Sequence, residues 1–215
     1  MNQQLFMDVP VMVAPDVLVP RPETELLGHT ARRQLETLEQ PLVIDMCCGS
    51  GNLACALAVA APRARVLACD LTDACVALAR RNVEHLGLAD RVTVLQGDLF
   101  APLDPNLHGA VDLVVCNPPY ISSGRLTRDK AALLASEPRE AFDGGPFGIS
   151  IQQRVVRAAA QFLRRGGWLI FEIGLGQDRQ MTALFERAQD YDAPQAVRNQ
   201  QDEVRVMMAR RRSAP

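Results

Sequence analysis

A chain of 215 residues, 48% of them apolar, is long enough to bury one substantial core, and a single globular unit is the expectation. Lysine and arginine total 23 against 25 aspartates and glutamates, and the net charge of −2 leaves no basic footprint for nucleic acid. Residues Met1 to Asp8 hold no basic segment followed by an apolar stretch, and no apolar run reaches the ~20 residues of a membrane span, so a protein without membrane contact is expected.

In chain order, apolar β-rich runs alternate with helix-like stretches, which argues for parallel β-α units. The first clear strand is Pro41 to Asp45. It runs into Cys47-Cys-Gly-Ser-Gly51, and the Ala/Leu-rich stretch from Asn52 to Ala61 predicts a helix stopped by Pro62. Ala64 to Cys69 predicts a second strand closing on Asp70; Thr72 then caps a helix to about Leu86, with Gly87 at its C-terminus. Arg91 to Leu95 and Val111 to Cys116 are the third and fourth strands. Residues 121 to 147 are polar and rich in Gly and Pro, too long for an ordinary connection, and mark a candidate active-site loop. A helix from about Ser150 to Arg165, a strand from Trp168 to Glu172, a helix from about Asp178 to Gln189 and a strand from about Glu203 to Ala209 complete the pattern. The tail from Arg210 to Pro215 reads as a frayed basic terminus.

The six cysteines, Cys47, Cys48, Cys55, Cys69, Cys75 and Cys116, sit in apolar runs with neither a C-x-x-C pair nor Cys/His zinc spacing. They read as buried thiols of a reducing cytoplasm, and no metal is expected. None of His29, His85 and His108 lies on a motif.

Ligands of open α/β sheets bind at the carboxyl ends of the strands, and four of these ends carry a signal. Asp45 to Gly51 ends the first strand, where Gly49 and Gly51 let a ligand approach a helix N-terminus. Gly49-Ser-Gly51-Asn-Leu-Ala54 with Asp70 beyond it also satisfies a dinucleotide fingerprint, and a tight turn without ligand is a third reading. Asp70 ends the second strand, where a carboxylate accepts hydrogen bonds from two ribose hydroxyls. Gly97-Asp98 follows the third strand, either as an acceptor for an adenine amino group or as a plain turn. Asn117-Pro-Pro-Tyr120 follows the fourth. Its two prolines fix φ and remove two N–H donors, leaving a rigid array of acceptors that suits an NH2 group. Holding both hydrogens of such a planar nitrogen orients its lone pair, and Tyr120 can stack on the planar group.

With these segments in place the chain resembles the HemK/PrmC family of protein-(glutamine-N5) methyltransferases, which modify the Gly-Gly-Gln loop of release factors. The resemblance rests on Val17-Leu-Val-Pro-Arg-Pro-Glu-Thr-Glu-Leu-Leu27, Asp45 to Gly51, Gly97-Asp98, Asn117 to Ile121, Glu137-Pro-Arg-Glu-Ala-Phe-Asp-Gly-Gly145 and Glu172-Ile-Gly174 with Gln177, in the family's order from about Phe6 onward. It implies an α/β doubly wound, Rossmann-like fold of the class I S-adenosylmethionine-dependent methyltransferases, with an antiparallel last strand. It also implies a lead-in segment, residues 1–30, packing on the crevice of a catalytic domain, residues 31–215. S-adenosyl-L-methionine is the implied cofactor: Asp45, Cys47, Gly49 and Gly51 at its methionine end, Asp70 and Leu71 at its ribose, Asp98 and Leu99 at its adenine, with Asn117 also against it. Asn117, Pro118, Pro119 and Tyr120 would hold the substrate amide, with Arg21, Glu23 and Thr24 lying over the crevice. Plainer readings stand beside these, with Arg21 and Glu23 as a surface ion pair and Glu137 and Arg139 as a loop-ordering pair.

The chain departs from the family where Cys47 replaces a usual glycine. It also shows only a short segment before Val17, where the family carries a helical N-terminal domain thought to engage the release factor. The expected chemistry is methyl transfer to an amide-type nitrogen. Release factors are the acceptor implied by the resemblance, though poor ones in the absence of that domain, and a small-molecule substrate is the alternative. A nucleic-acid amino methyltransferase and a non-catalytic cofactor-binding module are the remaining readings.

Overall fold

Leu42–Met46 and Val111–Cys116 are apolar at every position but one, which a strand tolerates only when both of its faces are covered. The computed structural model, which describes residues 2–128 and 138–213, builds both into the middle of a seven-stranded sheet. An antiparallel hairpin, β1 (Gln3–Phe6) and β2 (Val9–Met12), comes first and is followed by α1 (Glu25–Leu35). Then β3 (Leu42–Met46), α2 (Asn52–Ala60), β4 (Arg65–Asp70), α3 (Asp73–His85) and β5 (Val92–Gln96) run to one edge. The chain returns through β6 (Val111–Cys116), α4 (Ser123–Arg128), α5 (Ser150–Phe162), β7 (Leu163–Glu172), α6 (Asp178–Ala188), β8 (Gln195–Arg198) and β9 (Val204–Arg210).

The sheet order is β5-β4-β3-β6-β7-β9-β8. Its first five strands are mutually parallel, and β9 inserts antiparallel between β7 and β8. The direction of winding reverses between β3 and β6, so the crevice for a ligand opens beyond Met46 and Cys116, which pair across the two strands.

Alternation along the central strands divides the core. Val43, Leu113, Val115 and Ile170 pack with α1, α2, α3 and the hairpin, while Ile44, Met46, Val114, Cys116, Leu169 and Phe171 pack with α5 and α6. The hairpin joins the first layer through Phe6, Val9 and Val11. The boundary expected between residues 30 and 31 falls inside α1, which is continuous across it.

The helix expected to reach Arg165 stops at Phe162. Leu163 pairs with Val111, and Arg164 turns its guanidinium onto Asp112, so the chain enters β7 five residues earlier than its sequence suggests. Among the described residues no helix is long and apolar enough to cross a membrane.

Candidate active site

Beyond β3 the chain makes a tight turn in which Cys47, Gly49 and Gly51 all hold left-handed backbone, φ 60°, 55° and 76°. Gly51 begins α2 against Ala79 of α3, whose Cβ would lie 3.1 Å from any Cβ added at Gly51, so the turn packs this closely only with glycine there. The carboxyl group of Asp45 accepts the Ala54 N–H at 2.9 Å in the first turn of α2, and its second oxygen has no hydrogen-bond partner among the described residues. Burial pushes its pKa up to about 8, against the stabilising Ala54 N–H. Asp45 is thus sealed beneath the turn and Gly51 is buried behind it, and neither lines the cavity in front.

That cavity, about 380 Å³, is lined by Met46, Cys47, Gly49, Asp70, Leu71, Asp98, Leu99, Asn117 and Pro119 among others. Asp70, at the end of β4, accepts Gly49 N–H at 2.8 Å on one oxygen and Leu71 N–H at 2.8 Å on the other, so it ties the β3 turn to the start of the next loop. Thr72 N–H adds a longer bond of 3.3 Å to the oxygen that takes Leu71, so the oxygen bound to Gly49 keeps the freer lone pair. Thr72 then caps α3, its hydroxyl accepting Cys75 N–H at 3.3 Å, as the sequence indicates. Asp98 is held by Arg154 of α5 at 2.6 Å, a partner that no motif marks.

A second cavity, about 520 Å³, lies on the other side of Asn117 and is lined by Arg21, Glu23, Pro118, Tyr120, Arg125, Glu172, Gln177 and Arg205 among others. Asn117 and Leu18 line both chambers. The two prolines therefore face different ways, Pro119 to the first chamber and Pro118 to the second. Thr24 lines neither; it is buried and its hydroxyl accepts the Asn117 side-chain N–H at 3.2 Å. The Tyr120 hydroxyl donates to Glu172 Oε1 at 3.3 Å and receives Arg205 Nη2 at 3.4 Å. Burial, with the Glu172 charge behind it, pushes the Tyr120 pKa up to about 12, so the phenol stays protonated.

Gln177 clasps this region. Its amide oxygen accepts Gly174 N–H at 2.8 Å, while its nitrogen donates to Tyr120 O at 2.9 Å and Gly148 O at 3.1 Å. Of the loop expected from 121 to 147, residues 123–128 form α4 and 139–141 a short 3-10 turn. Glu137 lies outside the described residues; Arg139 pairs with Asp143 at 2.9 Å. The sequence reading missed Leu18, Arg125 and Arg205 as lining residues, because strand-end motifs do not report what a neighbouring loop or an antiparallel strand brings to the same opening.

With this geometry in place, comparison with known proteins gives a family. A model of the methyltransferase small domain matches residues 24–149. The release factor glutamine methyltransferase of Moorella thermoacetica is 39% identical over 98% of this chain and 73% of its own length. The chain belongs to the release factor glutamine methyltransferase family. Against three relatives of that name it spans from 63% to 73% of their length. A 4-amino-L-phenylalanine/4-methylamino-L-phenylalanine methyltransferase of Streptomyces pristinaespiralis is 40% identical over 80% of this chain and 59% of its own length. The crystal structure of a release factor-specific protein-(glutamine-N5) methyltransferase from Alicyclobacillus acidocaldarius superposes with a TM-score of 0.56 at 26% identity, covering 94% of this chain and 99% of that one. As a member of this family the protein is an S-adenosylmethionine-dependent methyltransferase on a class I fold. The first chamber fits that cofactor, with an apolar interior of suitable size and carboxylates at two successive strand ends.

Proposed function

We propose that this enzyme methylates the side-chain amide nitrogen of a glutamine in a release factor, with Asn117 holding the amide. The observation that carries the reading is that Asn117 lines both chambers, so a nitrogen bound to it from the second chamber sits against whatever occupies the first. S-adenosylmethionine supplies a methyl group activated on a sulfonium. The protein's part is positioning: Asn117 and Pro118 offer acceptors to the two amide hydrogens, and Tyr120 forms a wall for the planar group. Asp70 and Leu71 are assigned to the ribose, Asp98 and Leu99 to the adenine, Cys47 and Gly49 to the methionine end. Asp45 and Gly51 act behind the surface by fixing the β3 turn. Arg21 and Glu23 line the acceptor's entrance. As the new N–C bond forms the C–S bond breaks, and the proton leaves the nitrogen afterwards, when that nitrogen has become strongly acidic; no strong base is required.

A second reading, methylation of a free amine on a small molecule, draws support from the similarity to the Streptomyces pristinaespiralis enzyme, whose name gives an aromatic amino acid as its substrate. Both readings are tested by incubating the protein with methyl-labelled S-adenosylmethionine and either full-length release factor or 4-amino-L-phenylalanine, followed by mass spectrometry. Label on a release-factor glutamine is the expected result. Label on the amino acid alone transfers the assignment to small amines, and label on neither overturns both.

A further inference from the structure

Strand β9 reaches the second chamber through Arg205. The Arg205 carbonyl accepts Ile173 N–H at 2.9 Å and its Nε donates back to Ile173 O at 3.2 Å, so backbone and guanidinium are both registered to the residue that follows β7. From there Nη2 donates to the Tyr120 hydroxyl at 3.4 Å and stands 3.7 Å from Glu172 Oε1; the two charged side chains are only 14% and 4% exposed. Tyr120 in turn donates its hydroxyl hydrogen to Glu172 Oε1 at 3.3 Å.

A phenol has one hydrogen to give and lone pairs with which to accept, whereas a carboxylate only accepts and a guanidinium only donates. Glu172 and Arg205 therefore take up the two different capacities of the Tyr120 hydroxyl, and neither can stand in for the other. The rest of Tyr120 is held as well. Its carbonyl accepts Gln177 Nε2–H at 2.9 Å, and its ring lies so near Gly174 that a Cβ there would stand 3.0 Å from Tyr120 Cδ2. A buried ion pair contributes little net stability, because desolvation offsets most of the attraction. Here both charges converge on one hydroxyl.

We propose that Arg205 is a positioning residue which, together with Glu172, locks the Tyr120 ring in place, so that the wall assigned to the acceptor's planar group keeps one orientation. The inference rests on that assignment of Tyr120. It gives the antiparallel strand β9 a part in the chemistry at one remove, since Arg205 acts through the Tyr120 hydroxyl and not on the reacting nitrogen. A ring free to swing about χ1 would leave the planar group unsupported on one side, and fewer bound acceptors would stand in line with the methyl group.

The test compares wild type with Arg205→Met, Tyr120→Phe and the double variant, with calorimetric cofactor affinity as the check on folding. Tyr120→Phe keeps the ring and loses the hydroxyl. It and Arg205→Met should each lower kcat on release factor about tenfold, with KM for the acceptor and cofactor affinity little changed. Arg205→Met should add little in the Tyr120→Phe background, because both substitutions release the same ring. Losses that multiply in the double variant, or an Arg205→Met effect carried by KM, would overturn the proposal. A readout without any acceptor separates it from the substrate assignment: three-bond NMR couplings to Tyr120 Cγ, which report averaging of χ1. Tyr191, whose hydroxyl donates to Val156 O at 2.7 Å, is the control ring. One Tyr120 rotamer in wild type and averaged couplings in Arg205→Met support the lock even where release factor proves not to be the substrate. Should Arg205→Met fail to fold, Arg205→Lys keeps a charge beside Glu172 without the planar fork that spans Ile173 and Tyr120, and the same averaging is expected of it. Couplings identical to wild type in the folded variant sink the proposal.

Discussion

The Asn117 side-chain amide donates to the Thr24 hydroxyl across 3.2 Å and 93 positions of chain, so the lead-in segment directly braces the residue that divides the two chambers. Asn117→Ala removes the acceptor assigned to the substrate nitrogen and leaves the Asp70 end of the first chamber intact. Losing one positioned polar group costs about 2–4 kcal/mol of barrier, hundreds-fold in rate. Single-turnover methyl transfer should fall by that factor while calorimetric affinity for S-adenosylmethionine changes a few-fold at most. Turnover near the wild-type rate would reduce the Asn117 to Tyr120 turn to a structural device.

Asp70 serves two purposes, accepting Gly49 and Leu71 N–H groups and facing the first chamber. Asp70→Ala should therefore lower both thermal stability and cofactor affinity, the latter by about 1.5–3 kcal/mol for hydrogen bonds to a charged group. Asp70→Asn keeps an acceptor oxygen, and should recover stability more than affinity. Melting curves with and without S-adenosylhomocysteine distinguish the two; equal loss of both properties in the two variants would contradict the double role.

Asp45 carries a pH signature. Its folded pKa of about 8 lies above its ordinary value of 3.8, so the native state holds the proton more tightly than the unfolded chain. The stabilising contribution is complete below the ordinary value and is lost as pH rises through about 8. Asp45→Asn keeps an oxygen for Ala54 N–H and cannot ionise. It should match wild type below about pH 4 and exceed it progressively above that, by on the order of 5 kcal/mol at about pH 8, in urea unfolding. A wild-type pH slope that survives the substitution would show that another group sets it.

Gly148 has φ +71°, and a Cβ there would sit 2.4 Å from Tyr120 O and 3.0 Å from Ser122 N. Gly148→Ala must push the Tyr120 backbone away or break the Gln177 clasp. The left-handed backbone alone costs an alanine about 1–3 kcal/mol. Methyl transfer should drop at least tenfold with cofactor affinity preserved, since the disturbance falls on the second chamber. Weakened cofactor binding with normal chemistry would place the coupling the other way round.

The central sheet was legible because strands such as Val111–Cys116 are apolar on both faces and end in marked residues. The β1–β2 hairpin was not. Its turn is Met7-Asp8, with φ 48° and 66°, a left-handed pair that usually announces itself with glycine or asparagine. Strand β8 is largely exposed and polar, an edge strand without alternation to betray it. In the site, Asp70, Asp98 and Asn117 stand at the chamber walls where their strand ends led. Asp45 and Thr24 were placed at the surface by motif and are buried one layer behind it, because a motif identifies position in the chain and not depth. Glu172 appeared in a motif without a role, and only the β6–β7 register shows that it stands beside Asn117.

Asn82 of α3 is fully buried, and its side-chain amide takes Met12 N–H at 2.7 Å while donating to Met12 O at 3.1 Å and Ser50 O at 2.9 Å. One side chain thereby rivets the hairpin to the turn that backs the first chamber. Three buried hydrogen bonds would have to open together for that wall to swing, each at about 1 kcal/mol or more. Small molecules entering and leaving the chamber therefore pass a fixed jamb on this side, and the moving parts of the doorway lie elsewhere. A covalent tether between the hairpin and α3 would leave the rate of cofactor exchange where it stands.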